Sequence, residues 1–264
     1  MKCKGMHCIH YEVFDDGVDL QGKHYWDFKC NLDKESKIGY WPKPGIDECK
    51  FETQYKKVKL MNTEAKVELL QITPNAVDFI ESIGRTCYDS KPGENYIPGT
   101  MCRNLIKSGH ESVLEHAVAT FRIKNVSRAL THQLVRHRLC SYTQRSQRYV
   151  KEDQFEYVIP DTLPEEFKEM YDADMKTIQA MYNKYKTLGL KNEDARSVLP
   201  NACCTEIVMT ANFREWRSIF KLRAEKHAQL EIRKLAKQLL AILFNQCQPC
   251  FEDLYFKFVT EEDK

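Results

Sequence analysis

Hydrophobic and polar positions follow two regimes along the chain, and the change comes near residue 56. Before it, aromatic residues, Cys, His, Gly and Pro are mixed without helical periodicity. From 57 onward the pattern becomes regular. Val67, Leu69, Leu70 and Ile72 make a short apolar run suited to a strand, and Thr73-Pro74 offers an N-cap and an N1 proline for a helix reaching about Thr86. Residues 89–100, with two prolines and two glycines, read as a loop, and a short helix over 101–108 stops at Gly109. Over 117–126, Phe121 and Ile123 alternate with Arg122 and Lys124, the period of a half-buried strand. Ser127 is placed to cap the next helix, on which Leu130, Leu134 and His137 share one face while Gln133 and Arg136 share a neighbouring one. Residues 164–188 read as a long amphipathic helix ended by Gly189, and from Asn201 the chain reads as nearly all helix. These elements predict an α+β domain over 57–264, a sheet with packed helices and a long C-terminal helical region. A small irregular Cys-rich domain over 1–56 precedes it.

Composition narrows the class without naming it. With 264 residues, 42% of them hydrophobic, the chain can bury a full-sized core in one large domain or a large and a small one. A net charge of +2 gives nucleic-acid binding no support beyond a local basic cluster. No apolar run reaches membrane-spanning length and the first residues lack a signal peptide's apolar stretch, so a cytoplasmic protein is expected. In a reducing compartment the eleven cysteines point to metal binding or reactivity rather than disulfides.

Four of these cysteines, Cys3, Cys8, Cys30 and Cys49, are the only ones in 1–56, and His7, His10 and His24 lie among them. A segment this short needs a staple or a larger domain to lean on. Four thiolates provide one. Zinc is the commoner partner of four cysteines, but paired CxxC knuckles are missing here. The surrounding Tyr11, Phe14, Tyr25, Trp26, Phe28, Tyr40 and Trp41 favour an iron-sulfur (4Fe-4S) cluster instead. A docked extension with unrelated cysteines is the plain alternative.

The chemistry concentrates in 131–149, where Arg136, Arg138, Arg145 and Arg148 are interleaved with Ser141, Thr143, Ser146, Tyr142 and Tyr149. Arginine is permanently charged and its planar fork matches phosphate oxygens in pairs, so this density suits phosphates or an anionic ring. A solvated basic helix explains the charges but not the hydroxyls. Neither Gly-x-Gly-x-x-Gly nor a P-loop occurs to cradle a phosphate in another way.

The run Arg136-His137-Arg138 followed after seven residues by Ser146 resembles the signature of the flavin-dependent thymidylate synthases. Four further blocks are similar to that family in order: His110-Glu111-Ser112 with Glu115-His116, the Ala195-Arg196-Ser197-Val198-Leu199-Pro200 turn, Asn212-Phe213-Arg214, and Leu222-Arg223-Ala224 with His227-Ala228-Gln229-Leu230-Glu231. The likeness runs from about Val58 to the C-terminus. It implies transfer of a methylene group from methylenetetrahydrofolate to dUMP, giving dTMP, with FAD reduced by NADPH and a homotetramer whose sites are shared between subunits.

Carried over position by position, the resemblance implies FAD contacts from His110, Ser112, Glu115, Arg136, His137, Arg138, Asn212, Arg214 and Ser218. It implies dUMP contacts from Gln133, Arg136, Arg148, Arg196 and Arg223 and from a loop over 141–146 that carries Ser141, Gln144, Arg145 and Ser146. Arg148 and Arg196 are assigned to the phosphate and the ring oxygens, and Ser146 beside them to a phosphate contact, since it has no evident base that would make it a nucleophile. Three positions depart from the family: Gln144 where a glutamate is common, Cys204 where a tyrosine is, and Ser218 in place of an asparagine.

Plainer readings stand beside these. From its neighbours alone, His137 reads as a hydrogen-bonded core histidine and Cys140 as a small packing residue; His110 and His116 are not spaced as HExxH. The competing functions are an RNA-binding module that stacks bases on Tyr142 and Tyr149, and a flavoprotein that oxidises NADPH without synthase activity.

Overall fold

The computed structural model of the chain describes residues 65–260 and, ahead of them, the backbone of two strands, β1 (Tyr11–Val18) and β2 (His24–Cys30). These two pair antiparallel, Tyr11 opposite Cys30. The side chains of Cys3, Cys8, Cys30 and Cys49 lie outside the described residues, and so does the metal site expected of them.

The chain divides into two compact units. The larger comprises 61–146, 156–168 and 201–264, and is built on a four-stranded antiparallel sheet. Its strands are β3 (Lys66–Ile72), β4 (Val118–Ser127), β5 (Ser141–Gln144) and β6 (Cys204–Asn212), in the order β3-β4-β6-β5. Alternation decides which face is covered. Ala119, Phe121 and Ile123 of β4 lie on the same side as Ile207, Met209 and Ala211 of β6, and all six are buried. The opposite face carries Thr120 hydrogen-bonded to Thr210 at 2.9 Å and Arg122 paired with Glu68 at 2.9 Å and Glu206 at 3.2 Å.

Helices cover the apolar face: α1 (Ala76–Thr86), α2 (Thr100–Lys107), α3 (Arg128–Leu134), α6 (Phe213–Arg223), α7 (Leu230–Gln246) and α8 (Gln248–Tyr255). Trp216 of α6 sits edge-on to Phe121 at 5.2 Å and donates its indole N–H to the Ala119 carbonyl at 3.2 Å. Burying a side chain the size of Phe121 or Leu239 stabilises the fold by about 1.5–3 kcal/mol each, which fixes the sheet and helices as one core. The smaller unit includes 147–155 and 169–200, with α4 (Lys168–Thr187) and α5 (Asn192–Ala195). There Gln179 is buried and ties the segment 147–155 to α4, accepting from the Phe155 N–H at 2.8 Å and donating to the Glu152 carbonyl at 2.8 Å.

Strand β3, the loop before α2, the 101–108 helix within a residue, and α4 with its Gly189 stop (φ +90°) all form where the pattern places them. Four expectations are corrected. Helix α1 starts at Ala76 behind Asn75 rather than at Pro74, because Thr73 extends the sheet: it donates to the Val118 carbonyl at 3.0 Å and its hydroxyl accepts from the Val118 N–H at 2.9 Å. The signature helix ends at Leu134, so Arg136-His137-Arg138 lie in the turn beyond it. Residues 204–212 are a central strand, not helix, and Ser141–Gln144 is an edge strand rather than loop. In both, hydrogen bonding to a neighbour outweighs local propensity.

Candidate functional site

In the larger unit, the signature is placed by a bulge. The β4–β6 register shifts between Lys124 and Val126, with Asn125 at φ +59°, a backbone state that asparagine tolerates. This turns Ser127 to accept from the Leu130 N–H at 3.0 Å, and its own N–H and hydroxyl both donate to Glu231 of α7, at 2.8 and 2.7 Å. So α3 begins with a satisfied cap anchored to another helix. At its far end the His137 N–H returns to the Leu134 carbonyl at 3.0 Å. That turn buries His137 while leaving Arg136 and Arg138 exposed on either side.

His137 is the centre of a buried polar chain. Its Nε2 accepts from Arg223 Nε at 3.0 Å, and its Nδ1 faces Glu215 Oε1 at 3.5 Å. Arg223 also donates to the Gln133 carbonyl at 3.1 Å, and Gln133 donates its amide to Gln229. Burial, with the Arg223 charge second, holds the His137 ring down to about 4. The imidazole is therefore neutral near pH 7, with its proton on Nδ1 and its lone pair on Nε2 toward Arg223. Burial raises the Glu215 carboxyl, and burial followed by the nearby Arg136 charge lowers Arg223. The Arg136 charge thus lies near enough to oppose the charge on Arg223. Arg136 and Arg138 have no carboxylate partner among the described residues.

The edge strand closes this cluster. Tyr142 donates its hydroxyl to the carbonyls of Leu134 (2.6 Å) and His137 (2.9 Å), and burial raises its pKa further. It is a brace beneath the turn rather than a free stacking platform for RNA. Cys140 faces Glu215 Oε1 at 4.0 Å and is pushed up to about 11 by burial, so it stays a thiol. Gln144 lies inward and donates to Thr131 Oγ1 at 3.0 Å and Thr205 Oγ1 at 3.4 Å; Ser141 is exposed and Ser146 half-buried. Arg145 is exposed, with its backbone N–H on the Glu206 carbonyl at 2.9 Å.

Helix α6 contributes a second group. Asn212 caps it, accepting from the Glu215 N–H at 2.8 Å, and Arg214 pairs with Glu115, while Ser218 is exposed one turn on. His110 and Ser112 are exposed at the start of the 3₁₀ segment Glu111–His116. In the smaller unit the structure brings Arg148 and Arg196 to one residue: Arg148 pairs with the Glu193 carboxylate, and Arg196 Nε donates to the Glu193 carbonyl at 3.2 Å. Glu215 is the residue the motif reading passed over. Its signal was present as Asn212-x-x-Glu215, a capping pair that turns a carboxyl back toward the start of the helix.

A four-stranded antiparallel sheet packed on helices, with a buried neutral histidine between exposed arginines, is the frame of the domain, and sequence comparison says to which class of enzyme it belongs. The family model described as "Thymidylate synthase complementing protein" matches residues 68–248. The flavin-dependent thymidylate synthase of Clostridium tetani is 39% identical over 201 residues, covering 67% of this chain and 81% of that protein. That of Nitratidesulfovibrio vulgaris is 37% identical over 215 residues, covering 73% and 86%. That of Geobacter sulfurreducens is 38% identical over 200 residues, covering 71% and 86%. The chain belongs to the flavin-dependent thymidylate synthase family. Among the described residues no helix is long and apolar enough to cross a membrane.

Proposed function

We propose that the chain catalyses the reductive methylation of dUMP to dTMP, taking its one-carbon unit from methylenetetrahydrofolate and its reducing equivalents from NADPH by way of FAD. One observation carries the reading. The Arg136 charge opposes that of Arg223 beside a neutral His137, and neither Arg136 nor Arg138 has a counter-charge among the described residues. Neighbouring like charges are unfavourable, and a bound anion relieves them. A dinucleotide or nucleotide phosphate is such an anion, so the donor set fits FAD.

When bound, FAD supplies the reducing chemistry that spares the protein a nucleophile. The protein's own task is then binding and orientation. His110, Ser112, Glu115, Arg136, His137, Arg138, Asn212, Arg214 and Ser218 hold the cofactor in this reading. Gln133, Ser141, Gln144, Arg145, Ser146, Arg148, Arg196 and Arg223, with Arg136 shared, hold dUMP. Arg148 and Arg196 supply fixed positive donors for the phosphate and the polarised ring oxygens. The neutral lone pair of His137 Nε2 restrains Arg223 without cancelling its charge.

Purified protein supplied with dUMP, methylenetetrahydrofolate, NADPH and FAD under anaerobic conditions forms dTMP and releases tritium from C5-labelled dUMP. NADPH consumption without tritium release identifies an oxidase instead. The reading further includes a cytoplasmic homotetramer and a separate 1–56 extension that holds an iron-sulfur (4Fe-4S) cluster or zinc on Cys3, Cys8, Cys30 and Cys49. Anaerobic metal analysis decides the last point: about four irons with broad absorbance near roughly 400 nm support the cluster, one zinc the alternative, and a metal-free protein unaffected by Cys30→Ser neither.

A further inference from the structure

We infer that Cys247, Cys250 and Cys102 form a redox-active thiol site in which hydrogen peroxide joins Cys247 and Cys250 as a disulfide. The sequence Cys247-Gln248-Pro249-Cys250 falls at the joint between α7 and α8. The Cys247 N–H closes α7 on the Leu243 carbonyl at 2.8 Å, and the Cys247 carbonyl accepts from the Cys250 N–H at 3.1 Å. That single turn sets both thiols together at the start of an eight-residue helix. The Cys250 thiol contacts both Cys247 and Cys102 of α2.

The approach of α2 is built in. Gly99 precedes α2 at φ +88°, and a Cβ there would lie 2.5 Å from Cγ of Pro249, the residue inside the motif. All three thiols are buried, so the oxidant proposed is a small neutral one rather than another protein. A charged groove of about 460 Å³ lies alongside, lined by Pro249 and by Arg103 next to Cys102.

The roles differ by position. Cys247 stands at the N-cap of α8 and Cys250 follows within its first turn. Contact with Cys102 and Cys247, then burial, pushes the Cys250 thiol up, so Cys250 keeps its proton until the second step. The Cys247 thiolate attacks one peroxide oxygen; an S–O bond forms, the O–O bond breaks, and the departing hydroxide takes up a proton as water. Cys250 sulfur then attacks the resulting sulfenic acid, the S–S bond forms, and hydroxide leaves with the Cys250 proton as a second water. Two thiols are oxidised and one peroxide is reduced to two waters.

The full chain is treated with hydrogen peroxide under native conditions, unreacted thiols are alkylated after denaturation, and peptides are mapped by mass. The peptide spanning 247–250 should be lighter by two hydrogens, unalkylated, and restored by dithiothreitol. Cys102→Ser should leave this disulfide intact, and Cys250→Ser should leave Cys247 as a sulfenic acid that dimedone traps. Oxidation of exposed Cys87 with 247–250 still fully alkylated overturns the inference, and that readout needs only the wild-type protein. A two-hydrogen loss linking Cys102 to Cys250 overturns the assigned pair.

Discussion

Two arginine clusters in the larger unit use the same side chain for opposite ends. Arg217 is 1% exposed and every nitrogen has a partner in the chain: Asp253 takes two donors at 2.7 Å each, the Cys250 carbonyl one at 2.7 Å, and Glu111 the Nε at 3.3 Å. Burial opposes its charge, but Asp253 and Glu111 outweigh burial and keep it protonated. Arg136 and Arg138 are exposed, and Arg223 gives its donors to neutral acceptors, the His137 ring and the Gln133 carbonyl. An arginine whose counter-charge is part of the fold is structural; one with no counter-charge among the described residues is, in the proposed reading, left for an anionic ligand. Residue type does not separate the two cases, and the ledger of partners does.

The structural role of the paired cluster is lost if Arg217 proves dispensable. Arg217→Met should destabilise the fold by about 3 kcal/mol, the lower end for breaking a buried pair, since the Asp253 side chain is 46% exposed and water can take over part of its solvation. Urea unfolding monitored by tryptophan fluorescence measures it. A loss below about 1 kcal/mol would mean that Arg217 behaves like a surface charge and that its partners do not define a structural class.

The second test uses acid. His137 is held down to about 4, below the usual histidine value, by burial and then by Arg223. As pH falls below about 6.5 the unfolded chain takes up a proton that the folded chain refuses, so stability declines until pH reaches about 4 and then levels; above 6.5 the group contributes no pH dependence. The decline attributable to His137 is on the order of 2–3 kcal/mol. Stability curves for His137→Gln should be flatter through that window. Parallel curves would place the acid sensitivity elsewhere.

How much of this the sequence disclosed depends on the kind of information. The period-2 run at Phe121 and Ile123, the Ser127 cap and the Gly189 stop are local, and each forms as the pattern indicates. The sequence also carries the alternation of Thr205, Ile207, Met209 and Ala211, but long helical segments follow directly and the local pattern merges with theirs. A central strand is stabilised by neighbours far away in sequence. His137 shows the reverse. Helical spacing placed it on the face of Leu130 and Leu134, and it is buried with them, although the helix ends before it and a turn does the placing. The signature arginines are legible as residues, while their lack of counter-charges is not, because carboxylates such as Glu215 and Glu115 meet their partners, His137 and Arg214, across 78 and 99 residues of chain. Charge compensation is a property of the folded neighbourhood.

Arg136→Ala probes the unpaired cluster. Removing a charge that repels Arg223 should leave folding stability within about 0.5 kcal/mol of the parent or raise it slightly. Flavin affinity should fall roughly tenfold to a hundredfold, the loss of about 1.5–3 kcal/mol expected for a hydrogen bond to a charged group. Equilibrium dialysis against FAD, with unfolding in its absence, reads both quantities. A variant that is unstable yet binds flavin normally would reverse the assignment and make Arg136 a structural residue.

The smallest effect belongs to the brace that joins the two ends of the turn. The Tyr142 hydroxyl reaches the Leu134 and His137 carbonyls, and a single O–H donates fully to one of them at a time. Tyr142→Phe keeps the ring, its packing and any stacking surface, and removes only that donor. Both carbonyls then lose an acceptor bond in a half-buried place, so the variant should lose about 1 kcal/mol of stability and only a few-fold in flavin affinity, through a looser Arg136-His137-Arg138 turn. An RNA-stacking role makes the opposite forecast, because Phe stacks as well as Tyr and the turn would be untouched. Unchanged stability together with a salt-dependent RNA shift that survives in Tyr142→Phe and vanishes in Tyr142→Ala would remove the brace from the account and return the residue to a binding surface.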